Sequence, residues 1–173
     1  MADRPAAVLF DRDGTLIRNV PHNVDPAKIE PMPTAAEAVR RLRDEGIAMA
    51  VVSNQSVVGR GWATTEDVAR ANAKVAQMFG GIGPFFVCPH APDAGCECRK
   101  PKPGLIRQAA AALGVSLDGV VVIGDRISDL QAAMAAGARA IMVPSADTPD
   151  DEIAEAAELA ATLGDAVAAV LPG

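Results

Sequence analysis

The chain has 173 residues, the size of one α/β domain, and half of them are hydrophobic, which is enough for a sizeable core. The net charge of −6 argues against nucleic acid or an anionic membrane as the main partner. Three cysteines are an odd count, which fits a metal site in a reducing compartment better than a set of disulfides. We find no signal sequence and no apolar run near the ~20 residues of a membrane span, so we expect a soluble cytoplasmic protein, by default a monomer.

Apolar segments alternate along the chain with segments of helical period. Continuous apolar runs between helices are typical of a parallel sheet that is covered by helices on both faces, and we expect one domain over residues 1–173. The tail from Pro149 is expected to be helical and interrupted at Gly164. Thr34 to Glu37 is expected to be a capping box. The strands are predicted at residues 6–10, 47–52, 85–87, 119–123 and 140–143, and helices from Thr34 to Gly46, from Thr64 onward, and at 104–113 and 127–136.

Polar clusters follow four of the five predicted strands. Ligands bind beyond the carboxyl ends of the strands in open α/β sheets, so these clusters are expected to share a cleft. The four clusters are residues 11–15, 53–56, 88–104 and 124–129.

The first cluster carries two carboxylates, Asp11 and Asp13, that can reach the same cleft from one strand end. A carboxylate can attack phosphorus, and a second carboxyl group can protonate the leaving alkoxide and later activate water. Together with Asp125 they also make an oxygen site for Mg²⁺. The alternative is an ordinary turn, because Asp and Gly are common turn residues.

The third cluster contains Cys88, His90, Cys96 and Cys98, which suit one tetrahedral zinc ion. Four protein ligands leave no open position, so the expected ion is structural. The alternative is a loop with three free cysteines. The last ligand is followed at once by two cations, which suggests that the loop presents them to an anionic, phosphorylated substrate.

Several other polar residues are candidates for phosphate or hydroxyl binding. Lys100, preferred over Lys102, would neutralise the charge that develops on the transferring group. Asp129 would orient Lys100 or a metal-bound water, unless it is an exposed acid in the first turn of a helix. The remaining candidates are Ser53, Asn54 and Gln55 as donors, Arg99 on a second phosphate, and Arg126, with His22 beside Asn19 in the long 16–33 loop as a weaker possibility.

The set Asp11-x-Asp13-Gly-Thr, Ser53, Lys100 and Gly124-Asp125…Asp129 resembles the haloacid dehalogenase (HAD) superfamily. The resemblance implies a Rossmann-like domain, Mg²⁺ and an aspartyl-phosphate intermediate. An aspartate two residues after the nucleophile matches the phosphatases of that superfamily.

The metal loop that runs into Cys98-Arg-Lys-Pro is similar to the histidinol-phosphate and heptose-bisphosphate phosphatase group, whose members are compact and have no cap domain. Residues 53–56 with Arg60-Gly61 are similar to the D-glycero-D-manno-heptose 1,7-bisphosphate 7-phosphatases, whereas the histidinol-phosphate branch has Asn-Gln-Asp-Gly there. The chain departs from the heptose pattern at Val57, where a glycine is usual. The resemblance implies substrate contacts from residues 19–22, Ser53 to Ser56, Arg99 and Arg126.

A Mg²⁺-dependent phosphomonoesterase that acts on a sugar bisphosphate is therefore expected, with histidinol phosphate as the alternative substrate. A phospho-acceptor domain would also place Asp, Ser and Lys at strand ends, but it has no use for the acid/base Asp13. A zinc-stabilised binding module is the third possibility.

Overall fold

Five parallel strands form one sheet at the centre of the computed structural model, which describes residues 4–171. Their order in the sheet is β3-β2-β1-β4-β5, with β1 in the middle. The parallel sheet predicted from the apolar runs is confirmed, and every strand lies within two residues of its predicted bounds. The strands are β1 (Ala7–Phe10), β2 (Ala48–Asn54), β3 (Phe85–Cys88), β4 (Val120–Gly124) and β5 (Arg139–Met142).

Helices cover both faces of the sheet, as predicted for a Rossmann-like domain. Alternate residues of β1 enter two separate cores, since successive side chains of a strand point to opposite faces. Val8 and Phe10 pack with the first, second and last helices, whereas Ala7 and Leu9 pack with the third and fourth. The helices are α1 (Ala35–Asp44), α2 (Thr65–Met78), α3 (Gly104–Leu113), α4 (Ile127–Ala136), α5 (Asp150–Glu155) and α6 (Leu163–Val170).

Helix α2 begins where its sequence predicts. The Thr64 hydroxyl accepts a hydrogen bond from the Asp67 amide at 3.1 Å, and the Asp67 carboxylate accepts one from the Thr64 amide at 2.8 Å. This reciprocal pair satisfies two backbone donors that a helix start leaves free. Helices α3 and α4 end at Gly114 and Gly137, also as predicted.

The capping box predicted at Thr34 is wrong. Thr34 has φ 64°, in the left-handed region, and its side chain makes no cap hydrogen bond to α1. Its hydroxyl instead accepts a hydrogen bond from the Gly164 amide at 3.0 Å. A contact with a residue 130 positions away has replaced the local one, and it ties the start of α1 to α6.

The C-terminal segment is helical, but its interruption lies at residues 156–162 and not at the predicted Gly164, which lies in the first turn of α6. The interrupting residues run beside β5. The Met142 amide donates to the Glu158 carbonyl, and the Ala160 amide donates to the Met142 carbonyl, both at 2.9 Å. Backbone pairing with the sheet therefore ends α5, and the glycine does not.

Loops alone cover the edge of the sheet at which the strands have their carboxyl ends. Residues 11–34 join β1 to α1 and contain one short 3-10 helix, Pro26–Lys28. Between residues 4 and 171 no separate cap domain is found, as the resemblance predicts. In the same range, no helix is long and apolar enough to span a bilayer.

Candidate active site

A cleft of about 380 Å³ opens beyond the carboxyl ends of the strands. All four polar clusters singled out in the sequence contribute to its lining, because the parallel strands end at the same edge of the sheet. The lining residues are Asp11 and Asp13 after β1, Asn54 at the end of β2, Arg99, Lys100 and Pro101 after β3, and Arg126, Ser128 and Asp129 after β4.

Lys100 is buried at the floor of this cleft between two carboxylates. Its ammonium donates to Asp11 Oδ1 at 2.9 Å, to Asp129 Oδ1 at 2.6 Å and to the Val52 carbonyl at 2.8 Å. Lys102, the competing candidate, is half exposed and pairs with Glu97 at 2.8 Å. The structure therefore places Lys100, and not Lys102, beside Asp11.

The electrostatics of the floor favour an additional cation. Burial raises the pKa of Asp11 well above its usual value; repulsion from Asp129 adds to this effect, and Lys100 opposes it. Burial, followed by repulsion from Asp129, raises the pKa of Asp125 to about 6. Burial alone would lower the pKa of Lys100, but the carboxylates of Asp11 and Asp129 outweigh it, so the pKa is raised. The ammonium of Lys100 thus does not offset the negative charge of the three carboxylates.

The oxygen atoms of Asp11, Asp125 and Asp129 fit a hard divalent cation. One carboxylate oxygen from each lies within 4.8 Å of the others, and Asp125 Oδ1 is buried without a hydrogen-bond partner. Such an orphaned buried carboxylate oxygen is the type of ligand that Mg²⁺ takes. The group differs from the expected Asp11, Asp13 and Asp125, since the Asp13 carboxylate turns toward other partners.

Asp125 is oriented by residues that follow β5. The Ser145 hydroxyl donates to Asp125 Oδ2 and the Thr148 hydroxyl donates to its backbone carbonyl, at 2.8 and 2.7 Å. Gly14 leaves room for this carboxylate, since a Cβ there would lie 2.2 Å from Asp125 Oδ2. Gly124 does the same for Asp129, whose Oδ2 would be 2.2 Å from such a Cβ. The two glycines of the motifs therefore permit close packing of the acids.

The Asp13 carboxylate is surrounded by donors. Gln55 donates to Asp13 Oδ2 at 2.8 Å and also contacts the Ser53 hydroxyl at 2.6 Å. Asn23 donates to Asp13 Oδ1, and the Arg12 guanidinium contacts both oxygens. Gln55 thereby links the end of β2 with the acid that follows β1.

The cysteine and histidine side chains after β3 converge on one point. Cys88 Sγ lies 3.5 Å from His90 Nδ1 and 3.6 Å from Cys96 Sγ, and His90 Nδ1 lies 3.2 Å from Cys98 Sγ. In tetrahedral zinc, bonds of about 2.3 Å to sulfur and about 2.0 Å to nitrogen place sulfur atoms about 3.8 Å apart and sulfur and nitrogen about 3.5 Å apart. The spacing of the four side chains therefore fits one zinc ion.

The weaker candidates lie in different surroundings. Asn54 lines the cleft, but its amide group bonds the backbone of Lys100, accepting from the N–H at 3.0 Å and donating to the carbonyl at 3.1 Å. Arg126 also lines the cleft, and its guanidinium forms a salt bridge with Glu152 at 2.7 Å.

Other candidates lie outside the cleft lining. Asn19 donates to Asp147 at 3.2 Å, and the His22 ring packs edge-on against the Trp62 ring, with 5.0 Å between the ring centroids. Ser53, Gln55 and Ser56 are likewise not among the lining residues.

Sequence reasoning missed several residues that hold the acids. Ser145 and Thr148 follow a strand, so the rule that found the other four clusters would have found them too. Arg12 and Asn23 carried no such signal, because an arginine inside a turn motif and an asparagine in a long loop are ordinarily exposed.

Comparisons with known proteins agree with this geometry. The HAD-hydrolase-like family model matches residues 97–170. A D-glycero-beta-D-manno-heptose-1,7-bisphosphate 7-phosphatase from Pseudomonas putida is 40% identical over 143 residues, which cover 79% of this chain and 81% of that protein. The enzyme of the same name from Pseudomonas aeruginosa is 44% identical over 117 residues, 65% and 66% of the two chains.

A solved structure is also similar over nearly the whole chain. The crystal structure of D,D-heptose 1,7-bisphosphate phosphatase from B. bronchiseptica, in complex with magnesium and phosphate, superimposes with a TM-score of 0.85 at 30% identity and covers 95% of this chain and 97% of that one. The predicted superfamily is confirmed, and the relatives favour the heptose branch over the histidinol-phosphate branch. The chain belongs to the D-glycero-beta-D-manno-heptose-1,7-bisphosphate 7-phosphatase family of HAD-like hydrolases.

Proposed function

We propose that this protein is a Mg²⁺-dependent phosphatase that removes the 7-phosphate of D-glycero-β-D-manno-heptose 1,7-bisphosphate or of a similar sugar bisphosphate. The observation that carries the proposal is the buried Asp11 carboxylate, held by Lys100 at the floor of a cleft with a second acid, Asp13, at its side. The substrate is inferred from the similar proteins, which are D-glycero-beta-D-manno-heptose-1,7-bisphosphate 7-phosphatases.

In the first half of the reaction, an Asp11 oxygen attacks the phosphorus atom. The bond from phosphorus to the sugar oxygen breaks, its electron pair goes to that oxygen, and Asp13 supplies the proton that makes it a hydroxyl. Lys100 stabilises the negative charge on the transferring group. Its position is fixed, since the Val52 carbonyl, Asp129 and the Asn54 amide all hold it or its backbone.

In the second half, water attacks the phosphorus atom of the aspartyl-phosphate. Asp13 takes a proton from that water, the bond between phosphorus and the Asp11 oxygen breaks, and its electron pair restores the carboxylate. Inorganic phosphate leaves. Ser53 is 1% exposed, and its hydroxyl contacts Gln55; we assign it to the phosphoryl oxygens in both halves.

Two metals are assigned to separate places. Asp11 and Asp125, with Asp129 as the third acid of the group, would hold Mg²⁺, which would supply positive charge against the repulsion between the carboxylates and the phosphate. Zn²⁺ on Cys88, His90, Cys96 and Cys98 would hold the loop that carries Arg99. Arg99 Nη1 is buried without a hydrogen-bond partner, so this guanidinium is proposed to bind the second phosphate of the substrate.

Replacing the nucleophile tests the mechanism. Asp11→Asn preserves the shape of the side chain but removes the attacking carboxylate, so we expect Mg²⁺-dependent turnover to fall by roughly a thousandfold or more while the zinc content is unchanged. Asp44→Asn, an exposed acid on α1 that pairs with Arg40, is the control and should keep wild-type turnover. Retained turnover in Asp11→Asn contradicts the proposal.

The substrate is tested with a panel of sugar 1,7-bisphosphates, sugar monophosphates and histidinol phosphate, compared by kcat/KM. The proposal expects the bisphosphates to be preferred and Arg99→Met to reduce that preference. A preference for histidinol phosphate would overturn the substrate assignment and leave the chemistry in place.

A further inference from the structure

Arg12 is an arginine inside the first motif, yet its side chain is completely buried. A buried guanidinium is costly unless it is paired and its N–H groups are all satisfied. Among residues 4–171, Asp13 is the one carboxylate within 4.0 Å of it. Arg12 takes no part in the two steps of the proposed reaction, yet it contacts the acid/base Asp13 directly.

The contact between the two side chains is bidentate. Arg12 Nε lies 3.3 Å from Asp13 Oδ2, and Arg12 Nη2 lies 3.2 Å from Asp13 Oδ1. A planar guanidinium that meets both oxygens of a carboxylate sets the plane of that carboxylate as well as its distance. A lysine offers a point charge and cannot set the plane.

The guanidinium is itself anchored from two distant parts of the chain. Its Nη1 donates to Asn72 Oδ1 on α2 at 2.9 Å, and its Nη2 donates to the Asn23 carbonyl in the 16–33 loop at 2.8 Å. Asn72 is itself buried. Rotation of Arg12 would break these bonds inside the core, so the orientation it imposes on Asp13 is rigid.

Each Asp13 oxygen accepts two donors. Oδ1 is bonded by Arg12 and Asn23, and Oδ2 by Arg12 and Gln55. An ionised carboxylate only accepts hydrogen bonds and has room for four, whereas a carboxylic acid must also donate one. This arrangement of donors fits the basic form of Asp13, the form that takes a proton from water.

We infer that Arg12 is the positioning residue for Asp13 and that its contribution to the reaction falls mainly on the hydrolysis of the aspartyl-phosphate. The inference rests on the proposed function, because it assumes the two halves described above. It adds that the two halves depend on Arg12 to different extents, which a purely structural ion pair would not produce.

The test uses p-nitrophenyl phosphate, whose leaving group departs without a proton and so does not need Asp13 as an acid. In Arg12→Lys and Arg12→Gln we expect a burst of p-nitrophenol approaching one per active site, and phosphoenzyme trapped by acid quenching. We expect the steady-state rate to fall roughly tenfold or more, with kcat/KM changed less than about threefold, because kcat/KM reports the steps up to release of p-nitrophenol. Arg12→Lys, which keeps the charge, should accumulate less phosphoenzyme than Arg12→Gln.

Two control variants distinguish slower hydrolysis of the aspartyl-phosphate from a general loss of structure. Leu42→Ala removes a buried side chain of α1 away from the cleft and tests whether destabilisation alone changes the burst. Asn72→Ala leaves Arg12 in place but removes its Nη1 partner, so it should reproduce the burst with a smaller amplitude even if the Arg12 variants fold poorly.

Equal losses in kcat and kcat/KM without trapped phosphoenzyme would overturn the inference and leave the proposed function standing. Wild-type protein that forms no trappable phosphoenzyme, together with an active Asp11→Asn variant, would instead overturn the proposed function itself.

Discussion

Three buried carboxylates, Asp11, Asp125 and Asp129, share one buried ammonium, that of Lys100. At the scale of single residues this is an unfavourable arrangement for the folded chain without metal, because burial and repulsion both act against the ionised acids. The same imbalance gives a divalent cation a favourable place to bind. Stability and metal affinity are therefore expected to oppose each other at Asp125.

Asp125→Asn tests this opposition. The pKa of Asp125 is raised to about 6 in the folded chain, above the value of about 4 in an unfolded one. Ionisation of Asp125 therefore does not lower the free energy of unfolding below about pH 4, and it lowers it by the full amount above about pH 6. In the absence of metal the variant should be more stable than the wild type and unfold at a higher temperature. The expected gain in the free energy of unfolding is up to about 2 kcal/mol near pH 8 and much less near pH 4.5.

Thermal melts at the two pH values, with and without Mg²⁺, provide the measurement. Near pH 8, where Asp125 is ionised, Mg²⁺ should raise the melting temperature of the wild type and leave that of the variant unchanged, since binding to the folded state alone stabilises it. A variant that is less stable than wild type at both pH values without metal would contradict the argument.

At the scale of elements, the loop after β3 is held at two points. Four side chains converge for zinc at one end, and the Asn54 amide binds the Lys100 backbone at the other. The side chains proposed to bind zinc are separate from the Asp11 group, so we expect the ion to affect activity only by fixing the loop that carries Arg99 and Lys100.

Removal of zinc by a chelator, followed by return of Mg²⁺, tests that role. We expect turnover to fall roughly tenfold, and not to zero, because Asn54 still holds Lys100 in place. Cys98→Ser should show the same loss with a lower zinc content, and added zinc should restore the chelated wild type but not the variant. Full turnover in zinc-free protein would show that the metal is dispensable.

At the scale of the whole molecule, the C-terminal helix belongs to the core. Residues Leu163 and Val167 of α6 are buried and pack in the same cluster as α1, and residues 156–162 pair with β5. This packing lies on the face of the sheet that contains α1 and α2. The cleft lies at the carboxyl edge, so α6 is expected to affect stability and not chemistry.

Leu163→Ala should therefore destabilise the protein by about 2–5 kcal/mol, the usual range for a leucine truncated in a core, while kcat at a temperature well below melting stays within about twofold of wild type. Met134→Ala, at an exposed position on α4, is the control and should change stability by less than about 0.5 kcal/mol. Urea unfolding with a parallel activity assay measures both. A large loss of kcat in folded Leu163→Ala would show that α6 communicates with the cleft.

The amino-acid sequence by itself determined the strands, the start of α2, both ends of α3 and α4, and the four clusters that line the cleft. These features depend on local information: apolar period, glycine at helix ends, and motifs that directly follow a strand. The choice of Lys100 over Lys102 also came from local context, and the structure places Lys100 beside Asp11.

Only the tertiary structure decided which way the side chains turn. Asp13 faces Arg12, whose guanidinium is anchored by Asn72, 60 residues farther along the chain, and the three carboxylates that lie together are those of Asp11, Asp125 and Asp129. The Thr34 hydroxyl accepts a hydrogen bond from Gly164 and not from its own helix. The residues after α5 pair with the backbone of β5, and this pairing ends the helix. In each case a partner remote in sequence satisfies a polar group or a backbone edge, and the burial that makes such a contact decisive exists only once the chain has folded.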